Sequence, residues 1–213
     1  MEGQKAVSNK SKAAIIYIIF IVGIAGHLSE ATRTFMIILT PYVLILTGFL
    51  VLIFSKVFNN KKFLLWFLIS YLITLLLEIA GVRTGLIFGE YIYGDVLGFS
   101  IAGVPLIIGF NWIFVILGGI GVGSKISGNK ISVAVIAGIT AVIFDYVLEP
   151  AAVRLNYWNW LSGEIPMQNY LSWYIITLLI SLMFGFFNVN ISFKFFIHYL
   201  IAQFIFFLIL NST

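Results

Sequence analysis

The chain has 213 residues, of which 62% are hydrophobic and only 9% charged, with a formal net charge of +4. Soluble domains carry about 25% charged residues, so a water-soluble globule is excluded in favour of a chain whose solvent is lipid. Cysteine is absent, which rules out disulfides, thiolate metal sites and a cysteine nucleophile, and the basic residues are scattered over separate loops rather than gathered into a nucleic-acid-binding patch.

Apolar runs of about 20 residues read as spanning helices. Seven occur in chain order, at 13–28, 35–55, 63–80, 104–123, 131–150, 171–187 and 193–210. The expected fold is an all-α polytopic membrane bundle. Residues 1–12 form an N-terminal tail, and 13–210 form one transmembrane domain. The first run is short and follows Lys5, Lys10 and Lys12, the pattern of a signal peptide. A chain with six further spans needs no separate signal, and the first run counts as a span.

If the helices alternate in direction, Lys5, Lys10, Lys12, Lys56, Lys61, Lys62, Lys125, Lys130 and Lys194 all fall on one side. Arg33, Arg83 and Arg154 fall on the other. The positive-inside rule then puts the N-terminus in the cytoplasm and the C-terminus outside, in the plasma membrane. Two outer connections are long, at 81–103 and 151–170, and glycine and proline punctuate both. Their aromatic residues Tyr157, Trp158 and Trp160, with Tyr170 and Trp173 beyond, suit an interfacial belt.

Glu78, Asp145 and Glu149 interrupt or end these apolar runs. Insertion of a charge costs about 2.5–3.5 kcal/mol at a helix centre, so such residues mark functional sites by default. At about 1.5 Å per residue, Glu78, Asp145, His27 and Asn111 all lie roughly 20–22 Å from the lysine side. Glu149 stacks one turn above Asp145. Duller readings exist for several of them. Glu78 could snorkel or pair with Arg83, Glu149-Pro150 could simply end a helix, and His27 could be an interface residue near Glu30. His198 lies low in the last span, away from this layer. Ala134, Gly138 and Ala141 near the Asp145 face permit close helix approach or leave room for a slim ligand.

Two histidines are too few for the histidine-rich metal sites of membrane hydroxylases. Lys194 sits at the edge of its span, not at mid-helix where a retinal Schiff base would need it. No phosphate-binding loop or nucleophile elbow is present. What remains is carboxylic acids, an imidazole and many aromatic rings. A carboxyl group in apolar surroundings can act as a general acid, and aromatic faces attract cations. Together they suit protonation of an alkene and capture of the resulting carbocation.

The segment Gly89-Glu90-Tyr91-Ile92-Tyr93-Gly94, then Gly98, Gly103-Val104-Pro105-Leu106 and Asn111-Trp112, resembles the carotenoid biosynthesis membrane-protein family. So does Asp145-Tyr146-Val147-Leu148-Glu149-Pro150-Ala151-Ala152 followed by Trp158-Asn159-Trp160. That family includes carotenoid 1,2-hydratases of the CruF type and bisanhydrobacterioruberin hydratases. The resemblance implies addition of water to the terminal isoprenoid double bond of an acyclic carotenoid end, with no cofactor and no metal. On this reading Asp145 donates the proton, with Glu149 as alternate. Trp112, Tyr91 or Trp158 steadies the cation, and Glu78, His27 or Asn111 holds the water; Tyr93 joins the substrate- and water-binding set. The implied partners are a carotenoid or related isoprenoid lipid, the bilayer and other carotenoid enzymes, but no nucleic acid. Two other readings stay open: a proton-coupled membrane carrier, and a cyclase that uses the same protonation but excludes water.

Overall fold

The computed structural model describes residues 8–212. Lys5 and residues 1–7 of the expected tail lie outside the described residues. Seven helices, each long and apolar enough to cross a membrane, form a polytopic bundle: α1 (Asn9–Leu28), α2 (Glu30–Phe54), α3 (Lys61–Thr84), α4 (Leu106–Ile126), α5 (Lys130–Arg154), α6 (Met167–Phe186) and α7 (Lys194–Asn211).

Helix boundaries follow from local capping. Ser8 accepts from the Ser11 N–H at 3.1 Å, so α1 starts at Asn9 and Lys10 and Lys12 stand on its first turns rather than in a tail. Asn60 caps α3 and Asn129 caps α5 by accepting from backbone N–H groups of the first turn. No loop separates α1 from α2. The chain breaks at Ser29 alone, and α2 reaches back to cap α1: Thr32 Oγ1 donates to Gly26 O at 2.8 Å and Arg33 Nε to His27 O at 3.0 Å. Arg33 is thus a helical residue serving carbonyls that α1 leaves without partners. Helix α5 runs through Pro150 to Arg154, a turn beyond the expected end, and buries Ala151 and Ala152.

Helix α4 is the most buried of the seven and packs against α3, α5 and α7. Glycines bring α5 close. A Cβ on Gly119 would lie 3.0 Å from the Ala137 carbonyl oxygen, and one on Gly123 would lie 2.7 Å from that of Val133. In lipid, where burial of apolar area drives little, such backbone approach is what holds helices together.

The lysine-bearing ends meet at one end of the bundle. There Lys130 Nζ donates to Asn188 Oδ1 and Asn60 Nδ2 to Asn190 O. The opposite end carries two connections, at 85–105 and 155–166, shorter than expected because α3, α5 and α6 extend into them. These connections pair with each other. β1 (Tyr91–Tyr93) and β4 (Trp158–Trp160) form an antiparallel ladder with Tyr91 opposite Trp160 and Tyr93 opposite Trp158. A separate hairpin joins β2 (Ser100–Ile101) to β3 (Val104–Pro105). Gly94 N–H donates to Tyr157 O, and Leu161 N–H to Glu90 O, each at 2.9 Å. At Gly94 a side chain would strike the Asn156 backbone oxygen, so glycine is required where the two connections touch.

Candidate active site

Alternation along a strand sends residues i and i+2 to one face. Tyr91, Tyr93, Trp158 and Trp160 therefore share a face of the β1–β4 ladder and turn into the bundle, while Ile92 stays 51% exposed. Directly beneath lie the carboxyl groups, Glu78 on α3 and Glu149 on α5.

Each acid is held by donors. Tyr91 Oη and Tyr93 Oη donate to Glu78 Oε2 at 2.5 and 2.7 Å, and Trp112 Nε1 donates to Oε1 at 2.7 Å. Trp158 Nε1 and Trp160 Nε1 donate to Glu149 Oε2 at 3.0 and 2.8 Å. Asn169 Nδ2 on α6 bridges Glu149 Oε1 at 3.1 Å and Asp145 Oδ2 at 2.7 Å. Glu78, Asp145 and Glu149 are 4%, 0% and 2% exposed. Among the described residues no lysine or arginine bonds to any of them. Arg83 is exposed, so Glu78 neither snorkels nor pairs with it. The second oxygen of Asp145, Oδ1, has no partner.

Burial and the neighbouring Glu78 charge push the Tyr91 and Tyr93 phenols up, which keeps them protonated as donors. Burial also pushes Tyr157 up, to about 12. Its hydroxyl meets Thr40 Oγ1 at 3.1 Å.

Glu78 and Glu149 border a cavity of about 60 Å3, room for a few waters at about 10–15 Å3 each. Glu78, Asn111, Trp112, Tyr91, Tyr93, Trp158 and Glu149 all line it. Asp145 does not, because Asn169 stands between it and the cavity. His27 is not in the wall either. Its Nδ1 bonds Gly23 O at 2.8 Å and its ring meets the edge of Phe206, centroids 5.2 Å apart. Height along a helix is shared by every helix in the bundle and says nothing about lateral position, so a residue on α1 can match Glu78 in depth and lie elsewhere.

Several wall residues did not stand out as site residues. Tyr157, Trp160 and Trp173, like the expected site residue Trp158, are buried rather than arrayed as an interfacial belt. Trp173 stacks on Trp112 with ring centres 3.7 Å apart. Asn169 and Gln203 carry no motif. Gln203 donates to Asn111 Oδ1 at 3.0 Å, and its own side-chain oxygen is buried without a partner. A helical signal for Asn169 does exist. Asn169, Trp173, Thr177 and Ser181 recur every fourth residue and are all buried. Among the described residues no group of three or more His, Cys, Asp and Glu side chains could hold a metal ion.

The family described as carotenoid biosynthesis protein matches residues 35–213. A bisanhydrobacterioruberin hydratase from Haloarcula japonica is 29% identical over 118 residues, covering 52% of this chain and 40% of that protein. The chain thus matches less than half the length of this relative. No solved structure matches the chain.

Proposed function

The chain belongs to the carotenoid biosynthesis protein family, and from that premise we propose that it hydrates the terminal double bond of an acyclic carotenoid end without a cofactor. One observation carries the reading. Two carboxyl groups on different helices, Glu78 and Glu149, are each held by aromatic O–H or N–H donors and line one aromatic cavity. Hydration of an alkene needs a proton donor, a surface for the cation and an acceptor for the proton that water sheds.

The α5 pair supplies the proton. Asp145 and Glu149 lie one turn apart with no cation beside them among the described residues, an arrangement best accommodated with one proton on the pair. Glu149 lines the cavity, which favours it as the donor to the alkene, with Asp145 behind as the group that shares the proton. The proton adds to the less substituted alkene carbon. The π electrons form the new C–H bond and leave a tertiary cation. The faces of Tyr91, Trp158 and Trp160 attract that cation; one face of Trp112 is already covered by Trp173. Water attacks, its oxygen forming the C–O bond. Asn111 and Gln203, the latter with an unpartnered oxygen, are suited to hold that water. The surplus proton passes to Glu78, whose partners are all donors, and returns through cavity water to the α5 pair. One water is consumed and no proton is gained or lost. Tyr93 orients Glu78 in this scheme, and His27 has no part in it.

The lysine distribution supports a cytoplasmic N-terminus, an external C-terminus and a site near the outer face of the plasma membrane. The test is expression in a host that accumulates an acyclic carotenoid, in water enriched in heavy oxygen. A hydratase yields a product heavier by one water and carrying the label. An isomer of unchanged mass would identify a cyclase instead. An unaltered pigment with proton-coupled flux in vesicles would identify a carrier.

A further inference from the structure

A second cavity, of about 290 Å3, lies between α1, α2 and α7, and the cycle above does not use it. Its wall is almost all hydrocarbon. Ile18 and Val22, 58% and 57% exposed, border its open side. Along α1 it runs from Ile18 to His27, about 13 Å at 1.5 Å per residue. Its inner end adjoins the acid cavity, and Leu44, Tyr157, Gln203 and Phe207 belong to both walls.

We propose that this groove takes the hydrocarbon chain of an acyclic isoprenoid directly from the bilayer, so that its reacting end passes Tyr157 and Gln203 into the acid cavity. The proposal rests on the hydration reading above for the identity of the chain. Three observations single out this occupant. The acid cavity, at about 60 Å3, has room for a chain end and not for a chain, so the rest of a long substrate must lie outside it. The groove supplies an adjoining apolar channel, separated from the acid cavity only by the four side chains the two share. Its mouth is at mid-membrane, since Ile18 and Val22 stand in the middle of a 20-residue span. A bilayer lipid is tethered by its headgroup at the interface, whereas a hydrocarbon without a headgroup can enter at that depth.

The experiment uses the full chain in phospholipid nanodiscs with an acyclic polyene, which is achiral in solution. Bound in a groove of one hand, it acquires circular dichroism in its visible band, a reading of binding that needs no turnover. Val43 lines the groove and not the acid cavity. Val43→Trp should abolish the induced signal and lower conversion of the polyene by about tenfold or more. It should leave unchanged the hydration of a short alkene with the same dimethyl end. Leu39→Trp, one turn away on the same wall, should repeat the result, and size-exclusion profiles establish that both variants fold. Glu149→Gln should keep the induced signal while losing product. An induced signal that survives both tryptophan variants would overturn the proposal, as would its absence in wild type because bilayer acyl chains fill the groove. A wild-type signal without hydrated product would uphold the groove and sink the hydration reading alone.

Discussion

Asp145 and Glu149, one turn apart on α5, share a single hydrogen-bond donor: the Asn169 amide nitrogen lies 2.7 Å from one carboxyl and 3.1 Å from the other. The amide comes from α6, so the pair is held from across a helix interface. Asn169→Leu removes the donor from two buried carboxyl groups. A buried polar group left without its partner costs about 1–3 kcal/mol, and the unfolding free energy in detergent should fall by about that amount. Asn169→Asp should be worse, because it adds a third carboxyl beside Asp145 and Glu149, which have no cation partner among the described residues. Wild-type stability in Asn169→Leu would mean that the bridge holds nothing.

The acid pair can be dissected by amide substitution. Glu149→Gln keeps shape and hydrogen bonding but has no transferable proton. General acid catalysis contributes about 10²–10⁴-fold, and hydrated product per membrane-inserted protein should drop by about that factor. Asp145→Asn, behind Asn169, should cost less. The reverse order would make Asp145 the donor.

Glu78 is held by Tyr91, Tyr93 and Trp112, each contributing one donor. Tyr91→Phe and Tyr93→Phe each remove one bond to a carboxylate, worth about 1.5–3 kcal/mol when the acceptor is charged. Turnover should fall roughly tenfold or more in each, and the double variant should approach Glu78→Gln. Full activity in the double variant would release Glu78 from the role of proton acceptor.

Tyr157 gives a pH signature. Its folded value is pushed up to about 12 from an ordinary value of 10.0. The unfolded chain therefore loses the phenolic proton first. The stability this group contributes is intact below pH 10 and is lost as pH rises toward 12. Tyr157→Phe should flatten that part of the stability curve, measured as the unfolding midpoint against pH. An unchanged alkaline limb would show that Tyr157 is not its source.

Topology follows from lysine placement. Reporter fusions after Lys62 and Lys130 should read cytoplasmic, and one after Gly163, which sits in open space in the second long connection, should read external. A cytoplasmic signal at Gly163 would invert the chain and move the acid site to the inner face.

Hydropathy and the lysine pattern were enough to read all seven spans, because a membrane demands about 20 apolar residues for every crossing. Helix ends were missed by several residues, since polar caps such as Ser8 and polar first turns such as Lys61-Lys62 look like loop. Glu78 and Glu149 were legible as charges out of place. Tyr91, Tyr93, Trp112 and Trp158 entered the candidate site through the family resemblance, but their bonds to the two acids were not legible, nor were Trp160 and Asn169 as partners. Three-residue strands such as Tyr91–Tyr93 have too little periodicity to read, and a tryptophan beside a span looks the same whether it faces headgroups or, like Trp160, a carboxylate. Asn169 is a single amide at the start of α6 and Gln203 one in the middle of α7, and only the packing of α6 against α5 and of α7 against α4 gives them neighbours.

The two paired connections over the acids follow one plan. Glu78 is gripped by Tyr91 and Tyr93, from the connection that follows its own helix, and Glu149 by Trp158 and Trp160, from the connection that follows its own. A ribosome delivers α3 through α4 as one insertable hairpin and α5 through α6 as another. Each hairpin brings an acid together with its custodians, so neither charge need wait in lipid for a distant segment to be synthesised. The β1–β4 ladder and the Trp112–Trp173 stack require both. Each acid's aromatic donors are thus local in sequence, whereas the ladder joins two connections more than sixty residues apart and cannot close before Trp160 has been synthesised.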